Sequence, residues 1–196
     1  ALYVDSDKIA IKKLSKNDRS WAWPQAQSHQ AGIYVPLSFR GDFFPADEAL
    51  PAREDKPHIR QTQIRASWVG CKEEITVMTY RRFTNKGPEG HLTVPPREAF
   101  ANIGPASFLV MGRKQDESGL YFECLTVDSG SSVYGALERQ FDILPTFLDG
   151  LFSPPVKDEV PAAIADEIDF LISEFVAAAH EGRLPELIQQ YRQIPD

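Results

Sequence analysis

Polar and apolar residues alternate over parts of the chain, notably Lys8–Leu14 and Ile59–Val69, as they do on strands with one buried face. Lys8 to Leu14 (KIAIKKL) alternates in this way and predicts a half-buried strand. The polar stretch from Ser15 to Gln30 contains Pro24 and no helical apolar period, and predicts a loop. Ala31 to Leu37 predicts a second strand, ended by Pro36. Arg40 to Pro57 is rich in proline and acids and predicts a connection with at most a short helical turn. Further strands are predicted over Ile59–Val69, Glu74–Phe83, His91–Val94, Ala106–Arg113 and Leu120–Val127. Thr84 to Gly90 predicts a Gly/Pro turn, and Gln115 to Gly119 a hairpin turn. Ser131 to Phe141 has helical spacing behind an N-cap serine.

About seven short strands with one or two small helices point to a barrel or sandwich, not to a βαβ sheet. The character changes at Ser153-Pro154-Pro155. Beyond it, Ile164, Ile168, Leu171, Ile172, Phe175 and Val176 follow a helical stripe that Gly182 ends, and a second helix is predicted over Leu184–Tyr191. The chain therefore reads as a β domain over residues 1–152 and a linker with a helical appendage over 153–196. So short a helical pair cannot bury its apolar stripe alone. The appendage is expected to lead towards a further domain.

Composition adds little at first. No apolar run reaches the roughly 18 residues of a membrane span, and the first residues lack the charged and apolar regions of a signal peptide. A cytoplasmic location is expected. Cys71 and Cys124 are far apart with no CxxC pairing and read as two small buried thiols. The net charge of −7 argues against nucleic acid, but its distribution softens that. Residues 1–100 hold 15 Lys and Arg against 12 Asp and Glu, whereas residues 101–196 hold 6 against 16. Between Lys8 and Arg40 Asp18 is the only acid among six basic residues, so a phosphate-binding face is possible there. A mixed, solvated surface fits the same charges.

Catalytic patterns are missing. The commonest restriction nucleases hold Mg²⁺ with an acid and a second acid two residues before a lysine. Glu54-Asp55-Lys56 has the wrong spacing, and Glu123-Cys124-Leu125 has no lysine. The four histidines show no zinc spacing, and no nucleophile elbow, phosphate loop or dinucleotide fingerprint is present. No metal, cofactor or catalytic residue is expected within the chain, nor any Mg²⁺-dependent cleavage by it.

Two loops have unusual composition. One, Lys16 to Gln30, carries Asn17, Arg19, Gln25, Gln27, Ser28, His29 and Gln30 with Trp21 and Trp23. The other, Arg81 to His91, carries Arg81, Arg82, Asn85, Lys86, Glu89 and His91 around a turn. Arg, Asn, Gln and His read base edges, and Lys and Ser hold phosphates. Two exposed loops with no partner would look the same in composition.

The run IKKLSKND (Ile11 to Asp18), followed by SHQAGIYVP (Ser28 to Pro36), resembles the opening of the EcoRII-like type II restriction endonucleases. There a K-R-L-S-x-N-D strand end meets an H-Q-x-G-L-Y-I-P strand. Tyr80 to Thr93 is similar to the family's R-x-F strand, arm loop and returning strand, with Arg81, Phe83, Glu89 and Thr93 in register. Asp166 to Tyr191 resembles the helical segment before the family's catalytic domain. Gly90 and His91 stand where the family has a Lys-Arg pair, and Trp21-Ala22-Trp23-Pro24 lengthens the first arm.

The resemblance implies a mainly β, B3-like DNA-binding pseudobarrel, shared with plant B3 transcription factors and the BfiI recognition domain. It implies double-stranded DNA as partner, with two arms entering the major groove of a 5′-CCWGG-like site. It also implies a nuclease domain following in the parent chain, which would use Mg²⁺. Carried over by position, the DNA-binding residues are Lys16, Asp18, Arg19, Trp23, Gln25, Gln27, Ser28, His29, Gln30 and Tyr34 in or beside the first arm. In the second arm they are Arg81, Arg82, Asn85, Lys86, Glu89 and His91. The root of the first arm, at His29, Gln30 and Tyr34, is expected to clamp phosphates, and Arg19, Gln25 and Gln27 to lie further out and read bases. The isolated domain is expected to be a monomer. A ligand- or protein-binding β domain without nucleic acid is the alternative.

Overall fold

The fold is taken from a computed structural model, which describes residues 6–23, 32–72, 75–87, 89–116, 118–154 and 182–183. Among them eight strands form one sheet: β1 (Lys8–Lys13), β2 (Gly32–Val35), β3 (Ile59–Trp68), β4 (Thr76–Phe83), β5 (Glu89–Thr93), β6 (Phe108–Asp116), β7 (Gly119–Val127) and β8 (Asp149–Phe152). Their order across the sheet is β2-β5-β4-β3-β7-β6-β1-β8. All neighbours are antiparallel except β3 and β7, which run parallel with Arg65 beside Tyr121. Two short helices accompany them, α1 (Lys16–Ser20) and α2 (Ser132–Gln140). Single 3₁₀ turns lie at Leu37–Phe39, Asp47–Ala49 and Arg97–Phe100.

The predicted alternation is realised on β3 and β4. On β4, Thr76, Met78, Tyr80 and Arg82 are buried, while the residues between them face the other side. Met78 and Tyr80 join Ile64, Ala66, Trp68, Phe122 and Leu92 in the main core, which Phe39, Phe43, Phe44 and Phe100 fill from the connecting segments. Phe44 stacks on Tyr80 at 4.6 Å and on Phe122 at 5.4 Å, so the Arg40–Pro57 connection supplies core rings as well as turns. Gly119 closes the β6–β7 hairpin at φ 103°, a conformation that favours glycine.

β1 departs from the half-buried strand expected. Ala10 faces the main core, whereas Ile9 and Ile11 pack with Phe108, Val110, Val127, Leu137 and Ile143 in a second cluster. Leu137 comes from α2, whose N-cap serine is Ser131 as expected. This helix and the segment after it cover the outer face of β1, β6 and β7, and Phe108 stacks on Tyr134 at 4.2 Å. Even Lys12 is only 5% exposed. β8 was not anticipated either; it pairs with β1 from Ile9–Phe152 to Lys12–Asp149.

The two edges of the sheet are brought together. The Leu37–Phe39 turn that follows β2 lies against β8, where Ser38 Oγ donates to Asp149 Oδ1 at 2.6 Å. The sheet is thus curled into a half-barrel, with no strand pairing between β2 and β8 among the described residues.

Contacts divide the chain into two units, Ala1–Pro154 and Pro155–Asp196. Of the second, Gly182 and Arg183 are described; the two helices expected there lie outside the described residues. Among the described residues no helix is long and apolar enough to cross a membrane.

Candidate nucleic-acid interface

Register builds the surface. The β3–β4, β4–β5 and β2–β5 pairings place Gln61 beside Arg81, Arg81 beside His91, and His91 beside Tyr34. Paired residues on antiparallel strands share a face. Tyr34, His91, Arg81 and Gln61 therefore form one row across four strands, on the face opposite the core. The next row holds Gly32, Thr93, Thr79 and Gln63. Tyr34 is 40% exposed. The ring of His91 meets Tyr34 edge-on at 6.1 Å and Phe83 at 5.6 Å, and Arg81 Nε donates to Gln61 Oε1 at 3.3 Å. Gln61 and Gln63 were missed in the sequence. The polar positions of IRQTQIR hinted at them, but only the register puts Gln61 next to Arg81.

The segment expected to form the second arm is the β4–β5 hairpin. Its turn holds Asn85 and Lys86, both exposed, with Lys86 Nζ 5.4 Å from the Phe83 ring centre. Gly87 sits at φ 67°. Arg82 does not share the outward face of Arg81, because neighbours on a strand point to opposite sides. It is 9% exposed; Nε donates to Asp47 Oδ2 at 2.9 Å and Nη1 donates to the Phe83 and Gly87 carbonyls. The residue expected to contact DNA is thus an internal strut for the arm. Thr84 N donates to the His58 carbonyl at 2.9 Å and fixes the arm's other root.

Gly90 faces inward beside that strut. A Cβ on it would lie 3.5 Å from both Arg40 Nη2 and Tyr80 Oη. A lysine at this position would bring a third cation beside Arg40 and Arg82. Burial also pushes the Tyr80 phenol up, partly offset by the positive charge of Arg40. The side chain of Glu89 lies outside the described residues.

The segment expected to form the first arm begins as a helix, not as a loop. Ser15 caps α1: its Oγ accepts from Asp18 N at 3.3 Å, and Asp18 Oδ2 accepts from Ser15 N at 2.9 Å. Trp21, 4% exposed, donates Nε1–H to the Asp18 carbonyl at 2.8 Å and packs on Phe100. A helix this short has no apolar period to detect. Caps and one buried ring hold it.

Two residues expected on the DNA are therefore part of the scaffold. Asp18 is 2% exposed. Its carboxylate accepts from Lys12 Nζ, Ser15 N, Ser15 Oγ and Tyr34 N, and so ties β1 and α1 to β2. Arg19, 7% exposed, does not lie further out on the arm. It donates to the Ile103 carbonyl at 2.9 Å and the Ser15 carbonyl at 3.3 Å, while its guanidinium lies 5.7 Å from the half-buried Trp23 ring. Lys16 remains exposed. Gln25, Gln27, Ser28, His29 and Gln30 lie outside the described residues.

Cys124 is buried and Cys71 half-buried, and neither is in a disulfide. Among the described residues no three His, Cys, Asp or Glu side chains gather as metal ligands.

No family model matches the sequence, and no curated protein matches it either. Among solved structures, the B3 domain of the UbaLAI restriction endonuclease, crystallised with its cognate DNA, is similar: 77% of this chain matches 88% of that one with a TM-score of 0.50 at 18% identity. At that identity the likeness speaks for the fold, and the chain has a mainly β, B3-like pseudobarrel fold.

Proposed function

We propose that this chain is a sequence-specific double-stranded DNA recognition domain of a type II restriction endonuclease, reading a CCWGG-like site in the major groove with two arms. The observation that carries this reading is the row Tyr34, His91, Arg81 and Gln61, flanked by the β4–β5 arm and by the segment joining β1 to β2. It sets an arginine, a histidine and a glutamine, all able to address base edges, on a rigid sheet. Exposed Lys16 and Lys86 stand near the two arms as phosphate contacts. The similar B3 domain was crystallised with DNA, which favours the same partner here.

In this reading Asp18, Arg19 and Arg82 act through the scaffold: they hold the arms that Lys16, Tyr34, Arg81, Asn85, Lys86 and His91 present. Hydrolysis would belong to a nuclease domain of the parent enzyme, together with its Mg²⁺.

An electrophoretic shift assay on duplexes with and without CCWGG tests the proposal. A retarded complex that resists competition by unrelated duplex supports it. Equal displacement by every duplex would leave a non-specific binder, and no complex with any duplex would favour a β domain for another ligand.

A further inference from the structure

Arg81 is held from the side. Its Nε donates to Gln61 Oε1 at 3.3 Å, and the two residues are direct cross-strand partners on β4 and β3. Guanidinium has donors and no acceptor, so the amide oxygen of Gln61 must be the atom that faces it. Gln61 is itself fixed from both sides. Its strand pairs with β4 on one edge, and on the other its N–H donates to the Pro51 carbonyl at 3.0 Å, beside the Ala52–Arg60 bridge. Across Arg81 on the other side stands His91, held edge-on to Phe83 and Tyr34.

A free arginine side chain loses much rotamer freedom when it docks on a base. A partner on Nε fixes the plane of the fork and leaves the Nη1 and Nη2 pair to match guanine O6 and N7. Orientation settled before binding reduces the ordering cost at the moment of contact. We infer that Gln61 is a positioning residue that sets the guanidinium of Arg81 for recognition of one guanine; this rests on the DNA-reading role proposed above.

The test uses the full chain. A site selected by the wild-type chain from a randomised duplex library supplies the cognate sequence, and Arg81→Ala identifies the base pair at which discrimination is lost. At that pair, Gln61→Ala is expected to lose about ten-fold in the ratio of cognate to substituted affinity. Gln61→Glu keeps an acceptor for Nε, so it should retain the ratio while binding every duplex more weakly through its added negative charge. Combining Gln61→Ala with Arg81→Ala should add nothing to the loss from Arg81→Ala. Without DNA, the Arg81 Nε–H resonance should exchange faster in Gln61→Ala than in the wild type or in Gln61→Glu. If the wild type binds no duplex, the DNA reading falls and this inference with it. If the wild type discriminates and Gln61→Ala discriminates equally well, the inference alone is overturned.

Discussion

Asp18 Oδ1 accepts the backbone N–H of Tyr34 at 2.8 Å. The other oxygen of the same carboxylate takes Lys12 on β1 and the N-cap of α1. β1 and β2 are far apart in the strand order, so this one buried group ties together two parts of the curled sheet that are not strand neighbours. A buried charge with its partners in place is tolerated; with one partner gone, the other is stranded.

Asp18→Ala should therefore destabilise the domain by about 3–5 kcal/mol, because Lys12 would be left buried without its counter-charge. Urea unfolding followed by tryptophan fluorescence measures it. A loss no greater than that of an exposed substitution such as Lys16→Ala would show that the carboxylate does not hold β1 and β2 together.

The division between reading and clamping gives a second expectation. Arg81→Ala should cost about 1–3 kcal/mol on the cognate duplex and relax preference at one base pair. Lys16→Ala should weaken all duplexes alike and reduce the salt slope by about one. Affinities of both variants over a panel of single-base substitutions separate the two patterns. An Arg81→Ala loss equal on every duplex would contradict the assignment.

Acid should unfold the domain through identifiable carboxylates. The Gly104 and Gly130 N–H groups, with Ser107, hold the Asp128 carboxyl below its ordinary value of 3.8, and the hydrogen bond from Arg113 does the same for Asp7. Such groups bind protons more weakly when folded. Their stabilisation is whole above pH 3.8 and is lost as pH falls through the lower folded values. Asp128→Asn should be less stable than wild type at neutral pH and lose less between pH 4 and 2. Thermal melts across pH check this; parallel curves for the two proteins would assign the acid limb elsewhere.

The thiols should differ in reactivity. Burial, and then the negative charge of Glu123, push the Cys124 thiol well above its ordinary value, while Cys71 is only half-buried. A thiol reagent at neutral pH should label Cys71 first and Cys124 only as the chain unfolds. Simultaneous labelling of both in the folded protein, read by mass spectrometry of the peptides, would contradict this packing.

β3 and β4 were legible from alternation, and β6 and β7 from short apolar runs bounded by turn residues. α2 was legible from its N-cap serine. What escaped was set by tertiary contact. β1 reads as half-buried because nothing local shows that α2 covers Ile9 and Ile11. α1 is held by Ser15, Asp18 and Trp21 instead of a stripe, and the four residues of β8 are too few to show a period. In the candidate site, residue types singled out two segments but not which way each side chain faces. Arg81 and Arg82 look equivalent in the sequence, yet strand parity sends one outward and the other to Asp47. Gln61 lies 20 positions from Arg81, and only the register of the β3–β4 hairpin joins them.

Fluorescence anisotropy of a labelled duplex titrated with the full chain, repeated over a range of salt, tests the central claim most directly. The account predicts tighter binding to a CCWGG duplex than to a scrambled one at every salt concentration. It also predicts affinity that falls linearly on logarithmic axes as phosphate contacts release their counterions. Absence of binding to any duplex at low salt, or identical isotherms for cognate and scrambled DNA, would contradict it.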